Sequence, residues 1–392
     1  MTSATADAAA ADGGMQRSDA GGLEPAVLFP FPLDEFQLEA IAALNQGHSV
    51  VVSAPTGSGK TLIGEYAIHR ALAHGQRVFY TTPLKALSNQ KLRDFREQFG
   101  SEKVGLMTGD LTANREAPIV VMTTEIFRNM LYAELDDGID PLEGVEAVVL
   151  DECHYMNDSQ RGTVWEESII HCPPPIQLVA LSATVANAGQ LTDWIEQVHG
   201  PSDLIISDYR PVPLQFSFCS AKGLHPLLNE QGTGLHPNCK VWRAPKGHHR
   251  RGKNPKPPQP EPPSMAFAVA QLVDRQMVPA IVFLFSRRGC DKAVRDLLKA
   301  SLVNERESAE LKRRFETFAS NSPEAVRDGV HAQALLRGVA AHHAGVLPAW
   351  KELIEELFQQ GLVKVVFATE TLAAGINMPA RTTVISALSK RT

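Results

Sequence analysis

From residue 48 onward the chain repeats one pattern: a short, continuously apolar run followed by a stretch with apolar residues at helical spacing. The runs HSVVVSA (48–54), RVFYTT (77–82), PIVVMTT (118–124), VEAVVL (145–150), IQLVALSA (176–183) and DLIIS (203–207) read as strands. Their hydrophobicity is continuous rather than alternating, which suits strands covered on both faces. Between them, KTLIGEYAIHRALAH and LKALSNQKLRDFREQF carry the helical spacing. Repeated βα units wind into a parallel sheet, so the expected class is α/β.

The pattern breaks at 220–263, where RAPKGHHRRGKNPKPPQPEPPS is rich in Pro and Gly and has no acid between Lys240 and Pro260. Such a segment cannot bury a core and reads as a basic linker, either solvated or in contact with a polyanion. The βα pattern resumes with strands at AIVFLFS (280–286) and VKVVFAT (363–369). In the helix over 347–361, Leu347, Trp350, Leu353, Ile354, Leu357 and Phe358 share one face, and Gly361 is its stop. The expected organisation is a disordered tail (1–22), a first lobe (23–210), a linker or insertion (211–264) and a second lobe (265–392). A length of 392 residues suits two cores.

Composition narrows the function. A net charge of −6 confines any nucleic-acid contact to a local groove or to backbone amides. Five scattered cysteines without a C-x-x-C pair read as reduced thiols, and no apolar run reaches membrane-spanning length. The first 22 residues lack a hydrophobic stretch and carry Asp7, Asp12 and Asp19, unlike a secretory signal. Together these imply a cytoplasmic protein with no membrane partner.

The turn after the first strand, Ala54-Pro55-Thr56-Gly57-Ser58-Gly59-Lys60-Thr61, matches the phosphate loop G-x-x-x-x-G-K-[ST] except that Ala54 takes the first glycine's place. Small residues let backbone amides converge on phosphate oxygens at the positive end of the next helix. Lys60 would neutralise the β and γ phosphates of ATP, and the Thr61 hydroxyl would hold Mg²⁺. Such a loop needs a carboxylate from another strand end. VVLDECHYMND (148–158) supplies Asp151 for the metal and Glu152 to polarise water. If these residues continue the strand, their alternation keeps Asp151, Glu152, Cys153 and His154 from meeting on one zinc ion. A thiol beside two carboxylates is a poor nucleophile, so Cys153 reads as packing. His154 is either a core histidine or a link from nucleotide to the neighbouring lobe.

D-E-x-H after a strand, with LSAT (181–184) some thirty residues on, resembles the superfamily-2 DExH-box RNA helicases. More segments follow in that family's order: FPFPLDEFQLEAI (29–41), TTPLKALSNQK (81–91), TGD (108–110), MTTEIFRNML (122–131), IVFLFSRRGCD, AAHHAGVLP (340–348) and FATETLAAGINMPA (367–380). The later ones are similar to the superkiller-type branch, associated with RNA turnover and processing. The resemblance implies two RecA-like lobes, with Phe31 stacking on adenine and Gln37 reading its edge. It implies a grip on single-stranded or partly duplex RNA through Pro83, Lys85, Thr108, Gly109, Thr124 and Thr369. Ser182 and Thr184 would couple hydrolysis to the strand, and Gly375 with Asn377 would face the nucleotide across a cleft. His342 and His343 read as structural.

The family's late Q-x-x-G-R-A-G-R-x-G segment does not occur before the chain reaches ISALSKRT. The expectation is therefore an incomplete second lobe that binds ATP and turns it over poorly. Arginine fingers are worth orders of magnitude in rate. A DNA helicase of the same superfamily and a non-catalytic, ATP-gated RNA clamp are the alternatives.

Overall fold

The computed structural model describes residues 23–132, 140–158, 161–242, 262–326, 329–372 and 378–387. The chain divides into two compact units, Met1–Val212 and Pro213–Thr392.

The first unit runs α1 (Pro25–Leu28), α2 (Glu35–Asn45), β1 (Ser49–Ser53), α3 (Thr61–His74), β2 (Arg77–Thr82), α4 (Lys85–Phe99), β3 (Val104–Met107), β4 (Thr112–Ala113), β5 (Ile119–Thr123), α5 (Thr124–Leu131), β6 (Val145–Leu150), α6 (Thr163–His171), β7 (Gln177–Ser182), α7 (Ala188–Val198) and β8 (Ser202–Ile206). The strands form one sheet in the order β4-β3-β5-β2-β6-β7-β1-β8. Every pairing is parallel except the short β3–β4 ribbon.

Continuous hydrophobicity follows from burial on both faces. Val50, Val52, Ala147 and Val149 join a core with Ile41, Ile63, Tyr66 and Phe95 from α2, α3 and α4. Val51, Val148 and Leu150 point the other way, onto Phe127, Trp165, Ile169 and Ile195 from α5, α6 and α7. At the sheet's amino edge the buried Arg70 guanidinium is paired with Glu146 at 2.6 Å and also reaches the Leu44 carbonyl and Gln177. Gln177 donates in turn to the carbonyls of Leu44 and His48, at 3.0 and 2.7 Å.

The second unit contains β9 (Ser217–Ser220), β10 (Gly223–Pro226), α8 (Met265–Asp274), β11 (Ala280–Phe283), α9 (Arg287–Asp296), α10 (Glu305–Asn321), α11 (Gly329–Leu335), β12 (Val339–His342), α12 (Pro348–Gln359), β13 (Val365–Ala368) and β14 (Thr382–Ile385). Its main sheet is parallel, in the order β12-β13-β11-β14. Both units are thus parallel-sheet α/β lobes of the RecA-like kind.

Three expectations change. The stretch 211–264 is not all linker: β9 and β10 pair as an antiparallel hairpin, and Leu224 packs on Leu272 and Ala280. Few apolar residues suffice there because the hairpin borrows the core of α8 and β11. The basic residues from 243 to 261 lie outside the described residues, as does the expected tail. On α12, Leu347 does not join the buried face; it is the N-cap and half exposed, while Trp350, Leu353, Ile354, Leu357 and Phe358 are buried. Gly361 ends the helix in the left-handed region (φ 70°), with Leu362 N–H bonded to the Leu357 carbonyl. Finally, β6 stops at Leu150, so the DECH residues are not strand. Glu152 takes a left-handed turn (φ 53°, ψ 43°), and Cys153–Asn157 form a 3-10 turn.

Candidate active site

Parallel strands bring all their carboxyl ends to one edge, where ligands of open α/β sheets bind. In the first unit the phosphate loop follows β1, Pro83 follows β2, Thr124 follows β5, the acid pair follows β6 and the SAT segment follows β7. Because β7 lies between β6 and β1, the acid pair flanks the phosphate loop. Ser53 pairs with Ser182 across β1 and β7, and the Ala54 N–H donates to the Ser182 carbonyl at 3.2 Å.

The loop is shaped for an anion. Gly57 and Gly59 adopt φ 82° and 88°, where side chains are strained, and a Cβ on Gly59 would stand 2.8 Å from Gln37 Nε2. Thr56 and Gly57 are exposed, whereas Ala54, Pro55 and Ser58 are buried. Ser58 Oγ is buried with no hydrogen-bond partner among the described residues, an orphan that a phosphate oxygen would satisfy. The Lys60 ammonium folds onto the loop's own Ala54 and Pro55 carbonyls, at 2.8 and 2.9 Å. Burial lowers its pKa, while the charges of Glu152 and then Asp151 act the other way. The lysine and the acid pair therefore share one electrostatic site. The α3 helix that begins at Thr61 has no side-chain cap, leaving its amino end to a ligand.

Asp151 accepts the Tyr80 hydroxyl on Oδ2 at 2.7 Å and the Glu152 N–H on Oδ1 at 2.9 Å. Burial, and next the like charge of Asp151, raise the Glu152 carboxyl above its ordinary range, while Lys60 and Lys91 oppose this. A raised pKa makes Glu152 a better proton acceptor. His154 Nδ1 lies 3.3 Å from Glu152 Oε2 and 3.4 Å from the Ala183 N–H. It is half-buried and joins the acid loop to the SAT segment within the first unit. Ser182 is buried and donates to the Ala183 carbonyl at 2.8 Å; Thr184 is exposed. Cys153 is buried against Met156, and burial pushes its thiol up to about 12. No group of three or more His, Cys, Asp or Glu able to hold a metal occurs among the described residues. The strand alternation invoked against zinc does not apply, because Asp151–His154 lie in a turn. Mg²⁺ fits the donor set better: it keeps much of its water and needs one carboxylate and a hydroxyl beside the phosphates. Asp151 and Thr61 would hold it.

The adenine-side residues sit where α2 begins. Phe31 is exposed, 6.1 Å from the Phe29 ring, and is free to stack. Gln37 is buried and already engaged: Oε1 accepts the Asp34 N–H at 2.9 Å, and Nε2 donates to the Gly59 carbonyl at 3.1 Å. It caps α2 and ties that helix to the phosphate loop, leaving one amide hydrogen for a base.

Of the strand-gripping residues, Lys85 and the 108–110 turn come together: Lys85 is paired with Asp110, and a Cβ on Gly109 would lie 3.6 Å from Lys85 Nζ. Thr108 is buried, with its hydroxyl on the Leu111 carbonyl at 3.3 Å. Thr124 is wholly buried and its hydroxyl donates to the Thr82 carbonyl at 3.2 Å, which shapes the turn after β5. In the second unit Thr369 follows β13, and its N–H reaches the His342 carbonyl at 3.4 Å. His342 is buried against Glu355 (2.8 Å), and His343 and His331 both meet Asp291 (3.1 and 3.2 Å). Gly375 and Asn377 lie outside the described residues.

Sequence reasoning missed Tyr80 and Lys91. Tyr80 reads as one more apolar strand residue, yet its hydroxyl fixes Asp151. Lys91 stands within the quoted TTPLKALSNQK segment; its ammonium is 3.3 Å from Thr61 Oγ1 and 5.4 Å from the Tyr80 ring. A lysine one helix turn past Ser88, on the face toward α3, was the available signal.

The chain is similar to known helicases. The DEAD/DEAH box helicase model matches residues 34–191. The chloroplastic DExH-box ATP-dependent RNA helicase DExH15 of Arabidopsis thaliana is 48% identical over 402 residues, covering 93% of this chain and 34% of the relative. The probable helicase HelY of Mycobacterium tuberculosis is 44% identical over 381 residues (92% and 42%). The human exosome RNA helicase MTR4 is 42% identical over 374 residues (91% and 35%). The chain thus spans about a third to two fifths of the length of these curated relatives.

Proposed function

From the premise that the chain belongs to the DEAD/DEAH box helicases, in their DExH-box branch, we propose that it is the ATP-driven core of an RNA helicase acting in RNA processing or turnover. The observation that carries this reading is the shared edge of the first sheet, where the Lys60 loop and the Asp151–Glu152 pair meet on one electrostatic site.

The chemistry follows from the chain's own groups. Ser58 and the amides of the loop cradle the triphosphate, and Lys60 leaves its two carbonyls to neutralise the β and γ phosphates. Thr61 and Asp151 would hold Mg²⁺, which would neutralise charge developing on the phosphates. Glu152, made more basic by burial and by its neighbour, orients the attacking water and takes its proton. His154 connects Glu152 to Ala183, so a change at the acid loop is felt by Ser182 and Thr184. Lys85, Gly109 and the turns after β2 and β5 hold the sugar–phosphate backbone of a single strand without reading its bases. RNA is the strand favoured by relatives named as RNA helicases. Among the described residues no helix is long and apolar enough to cross a membrane. Five free cysteines support a reducing, cytoplasm-like compartment.

The test is phosphate release with single-stranded RNA or DNA of equal length. RNA is expected to raise the rate more than DNA. Glu152→Gln is expected to keep ATP affinity while stopping turnover. A Glu152→Gln chain that still hydrolyses ATP removes the residue from its role, and an equal response to DNA removes the RNA assignment.

A further inference from the structure

Arg161 belongs to none of the segments assigned above to nucleotide or strand, yet it touches two of them. Its Nη2 donates to the Pro83 carbonyl at 2.5 Å, and its Nε donates to Glu125 Oε1 at 3.1 Å, an oxygen that Nη2 also reaches. Pro83 leads out of β2, and Glu125 is the second residue of α5, immediately after β5. One planar guanidinium therefore bridges the two turns that carry Pro83 and Thr124. A rigid fork of charged donors fixes such a spacing far better than a flexible ammonium does.

The same residue is built onto the loop that leaves Glu152. The Arg161 N–H donates to Asp158 Oδ1 at 3.0 Å, and Gly162 N–H donates to the Asp158 carbonyl at 2.8 Å. A Cβ on Gly162 would stand 2.2 Å from the Met156 carbonyl oxygen, so the backbone there closes directly on the 3-10 turn. The guanidinium lies 6.0 Å over the Trp165 ring. Trp165 is stacked with Tyr155 at 6.1 Å and 21°, and Tyr155 is 5.2 Å from the His154 ring. His154 meets Glu152. Packed groups thus run without a gap from the carboxylate at the nucleotide to both strand-side turns.

We propose that Arg161 is a positioning residue: it sets the spacing of the turns after β2 and β5 and ties that spacing to the loop carrying Glu152. The inference rests on the reading of those turns as the strand grip. Its ligand is the sugar–phosphate backbone of single-stranded RNA, which the two turns hold only when correctly spaced.

The experiment uses the 392-residue chain and a fluorescein-labelled single-stranded oligouridine, with binding followed by anisotropy. Thermal unfolding and ATP affinity without RNA are measured alongside. Arg161→Ala and Glu125→Ala should each weaken RNA binding about tenfold, and the double variant should be no worse than the poorer single, because the pair acts as one unit. Arg161→Lys, which keeps the charge and loses the fork, should stay closer to Arg161→Ala than to the parent. ATP affinity without RNA should stay within about twofold, which a general loss of structure would not allow. A nonhydrolysable ATP analogue should shift RNA affinity in the parent and shift it much less in Arg161→Ala. Unchanged RNA affinity in Arg161→Ala, or losses that multiply in the double variant, overturns the spacing role. A parent chain whose RNA affinity ignores the analogue overturns the tie to Glu152. Should Arg161→Ala fail to fold, Glu125→Ala and Arg161→Lys decide the matter. A parent chain that binds no RNA refutes the grip itself, and this inference with it.

Discussion

The two edges of the first sheet are built from the same strands and differ in what their polar groups face. At the amino edge, Arg70, Glu146, Gln177, His74 and the Leu44 and His48 carbonyls satisfy one another. At the carboxyl edge, Ser58 Oγ has no partner among the described residues, two acids stand side by side, and Glu152 occupies a left-handed backbone conformation. One edge spends its polar groups on the fold. The other holds them in an arrangement that costs stability, which the proposed triphosphate would relieve, as ligands do at strained and like-charged functional sites.

The contrast can be broken in three ways, in falling order of effect. Arg70→Ala leaves the half-buried Glu146 with only His74 beside it and strips the Leu44 carbonyl and Gln177 of a donor. It should destabilise the chain by about 3 kcal/mol, with ATP affinity unchanged in whatever remains folded. Denaturant unfolding and nucleotide titration check both halves, and a lost ATP affinity in folded protein would erase the distinction between edges. Lys60→Ala should do the reverse. ATP affinity should fall at least a hundredfold, about 2.8 kcal/mol, with little change in unfolding, and calorimetric titration that finds affinity retained would sink the phosphate-loop assignment. Glu152→Gln should raise the melting temperature by roughly a degree or two at neutral pH. The sign follows from its raised carboxyl. A group whose folded pKa lies above its unfolded value favours folding when protonated and loses that contribution as pH rises through the folded value. Replacing the ionised acid relieves the penalty at pH 7, and the gain should vanish below about pH 4, where glutamate is protonated in either state. Scanning calorimetry at the two pH values measures it.

How much of this was written in the letters depends on the range of the interaction. The strands β2 and β6 were legible to the residue because their apolar runs are buried on both faces and bounded by turn residues. The β3 strand, VGLM, and the β12 strand, VAAH, were not read as strands, since glycine, alanine and histidine weaken the apolar signal. The β9–β10 hairpin escaped because its stability is lent by Leu272 and Ala280, some fifty residues on. In the site, Lys60, Asp151 and Glu152 were legible since local spacing fixes them. Tyr80 and Arg161 were not, as their partners lie 71 and 78 residues away. Nor does a motif report that Thr124 is buried with its hydroxyl on the Thr82 carbonyl.

The bend at Glu152 separates what the backbone asks of that position from what the chemistry asks. With φ at 53° and ψ at 43°, asparagine or glycine would follow the chain's path there with ease, and a β-branched residue would not. Folding alone would therefore favour asparagine or glycine over glutamate here. A library randomised at this codon and screened only for soluble expression should fill with asparagine and glycine, and glutamate should return when growth is made to depend on turnover.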